Sequence, residues 1–291
     1  MKIVISASRR TDLVAYYPGW LARALSKKNV LVLGPGRRKA LPVDLNPESV
    51  HTVVLWSKNF RPLLANQFGL KDLLGKYDQL YLHFTITGLG GSFLEKMVPP
   101  PEQALEQLGP LLDLAGWPER ISVRFDPIVF WLDGPDKEIR TNFNFFPRLA
   151  ERMSRLGLTT LRFSFVQWYR KGILRSKRMK LDYYDPPDEE KIKLVKEMVQ
   201  VAENNRLELW SCSQPTIAKL PGIKPSACID GAKLSKLHPH REPASLVKDR
   251  TQRPACFCTE SVDIGSYTQS CPSACLYCYA NPKINDSDAE S

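Results

Sequence analysis

Apolar, β-branched runs recur at fairly even spacing: Lys2–Ser6, Asn29–Leu33, Thr52–Trp56, Leu80–Thr85, Ile121–Phe125, Thr160–Phe165, Leu207–Trp210 and, more weakly, Ser261–Tyr267. Their shortness and near-continuous hydrophobicity predict strands covered on both faces, as in a parallel sheet. Segments of helical period lie between many of them. Pro187 and Asp188 open one that sets Ile192, Val195, Val199 and Ala202 on a single face. Phe146, Leu149, Met153 and Leu156 mark a second that stops at Gly157, where a left-handed cap is expected. A third carries Leu105, Leu108 and Leu112, with Pro110 positioned to break or kink it. Strand–helix alternation of this kind implies right-handed βαβ units, hence an α/β barrel or an open parallel sheet.

From about Cys212 the periodicity fades into a Pro-, Cys- and Lys-rich stretch, so residues 1–211 read as the body and 212–291 as a Cys-rich region. A metal can hold such a segment where a hydrophobic core cannot. With 43% hydrophobic and 25% charged residues among 291, the composition is globular. No apolar stretch reaches the roughly 18 residues of a membrane span, and Met1–Arg10 reads as a strand rather than a signal peptide. A cytoplasmic protein without a membrane partner is expected. Gly34-Pro35-Gly36-Arg37-Arg38 lacks phosphate-loop spacing and reads as a turn.

The net charge of +10 suits an anionic partner such as nucleic acid. It peaks where Arg170, Lys171, Arg175, Lys177, Arg178 and Lys180 crowd one segment, which reads equally as a solvated helix face.

All seven cysteines fall at or after Cys212. An odd, clustered set without a secretion signal points to metal rather than disulfides. Cys271, Cys275 and Cys278 form C-x3-C-x2-C, three thiolates that can wrap one face of a 4Fe–4S cluster and leave its fourth iron open. Cys212, Cys228, Cys256 and Cys258 are the four thiolates of a closed 4Fe–4S cluster or a tetrahedral zinc site. Alternatively, Cys212 and Cys228 are small buried residues. His238 and His240, in the same region, are reserve ligands, although the histidines show no metal-ligand spacing of their own.

The C-x3-C-x2-C loop resembles the signature of the radical S-adenosylmethionine superfamily, down to the aromatic Tyr277 before the last cysteine. Asp263–Thr268 is similar to the strand that leads into that loop. The resemblance implies a catalytic 4Fe–4S cluster on Cys271, Cys275 and Cys278, S-adenosylmethionine on its open iron, and Tyr277 beside the adenine. It also implies a reductant such as flavodoxin or ferredoxin, and reductive cleavage to methionine and a 5′-deoxyadenosyl radical. In that superfamily the loop follows the first barrel strand, whereas here only 13 residues follow Cys278. Circular permutation accounts for this, and it sets Ser261–Tyr267 beside Lys2–Ser6 as a parallel strand. The expected fold is a full or partial TIM-type (β/α) barrel with permuted strand order and a Cys-rich C-terminal cap.

The whole chain also resembles a bacterial family of unknown function with similar C-terminal cysteines, through Ser8–Asp12, Leu55–Asn59, Phe84–Thr87, Arg124–Ile128 and Cys256–Ala280. The Ser57-Lys58 and Arg124–Ile128 pieces are distantly similar to spore photoproduct lyase.

Parallel α/β folds carry their sites at the C-terminal strand ends. That rule collects Arg9, Arg10, Asp12, Lys58, Asn59, Thr85, Thr87, Arg124, Asp126, Ser164 and Gln167. Lys58, Thr85, Arg124 and Ser164 join Tyr277 as expected contacts to S-adenosylmethionine; Arg9, Arg10, Asp12 and Asp126 are the catalytic candidates. One carboxylate needs few cations, so the surplus suggests an anionic substrate, a nucleic acid or phosphorylated metabolite. The rival expectation is a non-catalytic zinc or iron–sulfur nucleic-acid-binding protein.

Overall fold

The computed structural model describes residues 1–33, 40–266 and 268–284. The strands are β1 (Ile3–Ala7), β2 (Asn29–Val32), β3 (Leu41–Asp44), β4 (Val50–Ser57), β5 (Leu80–Thr85), β6 (Ile121–Ile128), β7 (Phe130–Asp133), β8 (Glu138–Thr141), β9 (Thr160–Phe165), β10 (Tyr183–Tyr184), β11 (Glu208–Ser211), β12 (Ile223–Pro225) and β13 (Val262–Asp263). Eight of them form one sheet in the order β13-β1-β4-β5-β6-β9-β11-β12, and every neighbouring pair is parallel. The strand latest in sequence thus stands first in space, with Ile5 opposite Val262 and Ser6 opposite Asp263. Among the described residues β12 and β13 are the two edges and are not paired with each other. The fold is α/β with a parallel central sheet.

The register sorts residues by face. Val53, Leu55, Leu82, Phe84, Val123, Phe125, Leu161, Phe163 and Leu209 belong to the main apolar core, together with Leu149, Met153, Val195 and Met198 of the covering helices. Their neighbours along the strands face the other way and are largely polar or aromatic. One row runs Trp56–His83–Ser122, and the next runs Thr85–Arg124–Arg162–Trp210. Against that second face pack Cys212, Cys228, Cys256 and Cys258, with Val4, Val54 and Tyr81. The strands are buried on both sides, but only one side is oily.

The periodic helices form where expected, with one shift. Asp188–Asn204 buries Val195 and Ala202, and Phe146–Arg155 ends before Gly157 at φ +68°. In the third the break falls at Gln107, between Pro101–Glu106 and Leu108–Ala115. Pro110 sits in the first turn of the second piece, where its missing N–H costs nothing.

One strand expectation fails. Asn29–Val32 pairs antiparallel with β3, outside the central sheet, and Leu31 is 70% exposed. Four apolar residues in a row carry no signal that separates a buried strand from a hairpin arm. The Gly34–Arg38 turn and part of the Pro282–Ser291 tail lie outside the described residues, as does Tyr267 at the end of the last predicted strand.

Candidate functional site

The C-terminal ends of β5 and β6 and the C-terminal ends or following loops of β1, β4, β9 and β11 open on one cavity of about 530 Å³. Its wall includes all seven cysteines together with Arg9, Arg10, Asp12, Lys58, Thr85, Arg124, Asp126, Ser164 and Tyr277. Every residue that the strand-end reading assigned to cofactor or catalysis is therefore on one surface. Gln167 is there too; Asn59 and Thr87 are not. Asn59 instead caps the next turn through Arg61 N–H, and Thr87 donates to Glu95 at 2.7 Å.

The Cys271–Cys278 loop is fastened at several points. Cys271 N–H donates to Asn281 O at 2.8 Å, and Leu276 N–H to Leu94 O at 3.1 Å. Arg175 donates through Nη1 to Leu276 O at 2.8 Å and Cys278 O at 2.7 Å. Thus one cation of the basic Arg170–Arg178 helix serves the cysteine loop. Burial pushes the Cys275 and Cys278 thiols up, since a thiolate there has little water to solvate it.

Tyr277 lies in a buried polar knot. Its hydroxyl donates to Glu95 Oε1, which also accepts from Lys58 Nζ at 2.8 Å. Lys58 Nζ reaches the Tyr277 oxygen at 3.1 Å as well. Burial works against the Lys58 charge, but Glu95, Cys275 and Asp126 together outweigh it and hold the ammonium above its usual range. Glu95 is wholly buried, and its Oε2 has no hydrogen-bond partner among the described residues.

At the other side of the cavity Arg124 donates to Cys228 Sγ at 2.9 Å and to Asp126, whose second oxygen accepts from Ser164. Two guanidiniums lie within cation–π range of the Trp56 ring, Arg9 at 5.4 Å and Arg124 at 5.2 Å. His83 stacks on Trp56 at 4.0 Å, and burial lowers its pKa well below the ordinary range, which keeps it neutral. Beneath them Arg162 is almost fully buried, bonded to Ser226, Ser122, Tyr81 and the Ala227 carbonyl.

Two catalytic candidates have structural employment. Asp12 caps the helix Leu13–Tyr16 through Ala15 N–H and accepts from Ser57 Oγ and Lys58 N–H at 2.8–2.9 Å. Its burial raises its pKa to about 6. Arg10 donates to the Leu33 and Gly265 carbonyls, joining the loops after β1 and β13.

The four strand-end cations are each matched by an acid. Arg9 faces Asp249, Arg10 faces Asp263, Lys58 faces Glu95 and Arg124 faces Asp126. Arg124 and Asp126 are neighbours on one strand, but the other three cations take their carboxylates from distant segments, which spacing along the sequence does not show.

Cys212 and Cys228 approach to 3.9 Å between sulfurs, and Cys258 Sγ accepts from Ile229 N–H. Hydrogen bonds from Cys212 and Cys258, with Arg124 beside it, push the Cys228 thiol down. Among the described residues no three His, Cys, Asp or Glu side chains converge on a single-ion site. His238 and His240 face Asp78 at 3.8 and 3.9 Å, and neither lines the cavity.

The donor set suits iron–sulfur chemistry: seven free thiols border one cavity, three of them in a short loop. Three buried polar atoms on the same wall, Arg9 Nη2, Thr11 Oγ1 and Ser213 Oγ, lack a partner among the described residues. Buried polar groups are ordinarily satisfied, so these suit a polar ligand.

Sequence reasoning missed Glu95, Trp56, Arg162 and Arg175. Trp56 was readable in principle, as the penultimate residue of a strand. Glu95 and Arg175 stand in a loop and a helix, and only tertiary contacts distinguish them.

No curated protein matches the chain. Among solved structures it is similar to D-psicose 3-epimerase with D-tagatose from Clostridium cellulolyticum H10, at 10% identity and a TM-score of 0.27. That match covers 77% of this chain and 62% of the epimerase, less than two thirds of its length. The family described as a domain of unknown function, DUF1848, matches residues 4–280, and the chain belongs to it.

Proposed function

We propose that the chain is a radical S-adenosylmethionine enzyme. In this reading Cys271, Cys275 and Cys278 hold a 4Fe–4S cluster, and Tyr277, Lys58, Thr85, Arg124 and Ser164 border bound S-adenosylmethionine. One observation carries it: the C-x3-C-x2-C loop and the strand-end polar residues, far apart in sequence, share one cavity. Its volume of about 530 Å³ is within the usual range of small-molecule sites, about 300–1,000 Å³. The sheet is read as a partial TIM-type barrel of permuted order, closed over by the Cys-rich region, because the latest strand in sequence neighbours the earliest.

When bound, cluster and S-adenosylmethionine supply one-electron cleavage of the sulfonium. The chain's own residues bind, orient and exclude water. Arg9, with a buried N–H group lacking a partner among the described residues, and Thr11 are suited to the ligand's carboxylate or hydroxyl groups. The Glu95–Lys58–Tyr277 knot fixes the Tyr277 ring. Buried walls limit solvent access to the reacting centre.

Cys212, Cys228, Cys256 and Cys258 are read as a second metal site. A closed 4Fe–4S cluster is preferred there over zinc, because no three of the described side chains converge on a single-ion site although Cys212 and Cys228 approach to 3.9 Å.

Anaerobic reconstitution tests the assignment. About eight irons per chain are expected if both sites hold 4Fe–4S, or about four with one zinc. Replacing Cys271, Cys275 and Cys278 by Ala should remove about four irons in either case. Iron content indifferent to Cys275→Ala refutes the catalytic cluster. Metal binding without S-adenosylmethionine binding supports the rival, a non-catalytic nucleic-acid-binding protein.

A further inference from the structure

The cavity has a buried interior and a solvated mouth. Of the described residues that line it, Gln167, Tyr169, Asp185, Arg253 and Tyr279 are exposed, and they mark the mouth. Distant segments build it. Gln167 and Tyr169 follow β9, with Tyr169 directly before the helix Arg170–Arg178. Arg253 comes from the Cys-rich region, where its carbonyl accepts from Cys256 N–H at 2.9 Å. Tyr279 directly follows Cys278, and its hydroxyl donates to the Arg9 carbonyl at 3.2 Å.

The mouth combines ring faces, an amide and one unmatched cation. The Tyr169 and Tyr279 rings meet edge-on at 6.2 Å and stay 36% and 54% exposed, which leaves ring area for a planar ligand to stack on. Gln167 Oε1 accepts from the Tyr169 hydroxyl at 2.7 Å and from Arg253 Nη1 at 3.3 Å, so its amide N–H groups remain to donate elsewhere. Of the cations on the cavity wall, Arg9, Arg10, Lys58, Arg124 and Lys191 each face a carboxylate. Among the described residues Arg253 donates only to neutral oxygens, those of Gln167 and Tyr169. Asp126, whose field reaches it, is already held by Arg124 and Ser164. A guanidinium with spare donors takes an oxyanion through two parallel hydrogen bonds.

We propose that the mouth is a substrate subsite for a nucleotide. The base stacks on Tyr169 and Tyr279, the Gln167 amide donates to its edge, and Arg253 holds its phosphate. Tyrosine faces, a side-chain amide and a guanidinium are the groups that read an unstacked base. The inference deepens the radical S-adenosylmethionine reading and rests on it for the chemistry that follows binding. In that reading Arg9 serves the carboxylate of S-adenosylmethionine in the interior, which leaves Arg253 for a second ligand. Tyr279 adjoins Cys278, so a ring stacked on it lies beside the cysteine loop. One unmatched cation suits one phosphate and hence a free nucleotide, whereas a polynucleotide is held by a row of cations.

The test titrates the reconstituted protein, under saturating S-adenosylmethionine, with the common ribonucleoside 5′-monophosphates and the matching nucleosides by calorimetry. At least one monophosphate should bind with Kd at or below about 1 mM, and about tenfold more tightly than its nucleoside. Arg253→Gln should erase that advantage, weakening the monophosphate about tenfold and leaving the nucleoside unchanged. Tyr279→Leu should weaken both about tenfold, whereas Tyr279→Phe, which keeps the ring, should bind as the parent does. Tyr169→Leu repeats the test on the second ring, and melting temperatures report that the variants fold. A short single-stranded oligonucleotide that binds no more tightly than the monophosphate assigns a free nucleotide. Oligonucleotide binding that is tighter and indifferent to Arg253 and Tyr279 overturns the subsite, as does monophosphate binding that is undetectable or unchanged by Arg253→Gln. Absence of 5′-deoxyadenosine from the parent with dithionite overturns the reading of the cluster instead, while calorimetry, which needs no cleavage, still decides the subsite.

Discussion

Replacing Lys58 with Met strands a carboxylate that has nowhere to go. Glu95 Oε1 sits 2.8 Å from Lys58 Nζ, with the Glu95 side chain wholly buried and that of Lys58 16% exposed. Removing one partner of a buried pair typically costs about 3–5 kcal/mol, because the remaining charge keeps its desolvation penalty and loses its compensation. For a chain of this size each kcal/mol lowers Tm by about 2 °C, so Lys58→Met should melt about 6–10 °C below the parent. Glu95→Gln should cost a comparable amount by leaving the ammonium without its carboxylate. The double variant Lys58→Met/Glu95→Gln retains the shape without either charge, and it should recover most of the loss. Urea unfolding of all four proteins under anaerobic conditions at equal metal content closes the double-mutant cycle. A coupling energy below about 0.5 kcal/mol, with the two single losses simply adding, would refute the claim that this pair holds the wall of the site.

Asp12 gives a signed dependence on pH. Its carboxyl is raised from 3.8 to about 6, so its contribution to stability is present below pH 3.8 and is lost as pH rises through 6. At about 1.4 kcal/mol per unit the loss is about 3 kcal/mol. The stability of the parent relative to Asp12→Asn should fall by that order between pH 4 and pH 7, and a pH-independent difference in urea midpoints would contradict it. Arg175→Ala removes two charge-assisted hydrogen bonds from the cysteine loop and should destabilise it by roughly 2 kcal/mol. Hydrogen exchange at the Leu276 and Cys278 amides should accelerate, with Arg175→Lys intermediate; unaltered exchange would show that the loop is held by other contacts.

What the sequence discloses and what it withholds follow from the range of each signal. The central strands are legible because burial on both faces demands unbroken apolar runs, as in Val53–Leu55 and Leu161–Phe163. Ser6, His83, Ser122, Arg124 and Arg162 interrupt that pattern at alternate positions. They face the cysteine side, where hydrogen bonds replace oil, as around Arg162. The strand-end residues are legible through a rule of topology, which is why Arg9, Lys58, Thr85, Arg124 and Ser164 meet on one cavity wall. Their partners are not, because Glu95 lies 37 residues from Lys58 in a loop of no periodicity, and Asp263 lies 254 residues from Arg9. Charge counting along the chain therefore overstates free cations. A single apolar run such as Asn29–Val32 is ambiguous for a different reason: its sheet is chosen by its partner, and β3 has a Pro at its second position.

The most direct measurement is anaerobic incubation of the reconstituted protein with S-adenosylmethionine and dithionite, followed by chromatography for 5′-deoxyadenosine and methionine. The account predicts both products in equal amounts from the parent and neither from Cys275→Ala. A protein that carries its full complement of iron yet forms no 5′-deoxyadenosine, or a Cys275→Ala variant that forms it undiminished, would contradict the account.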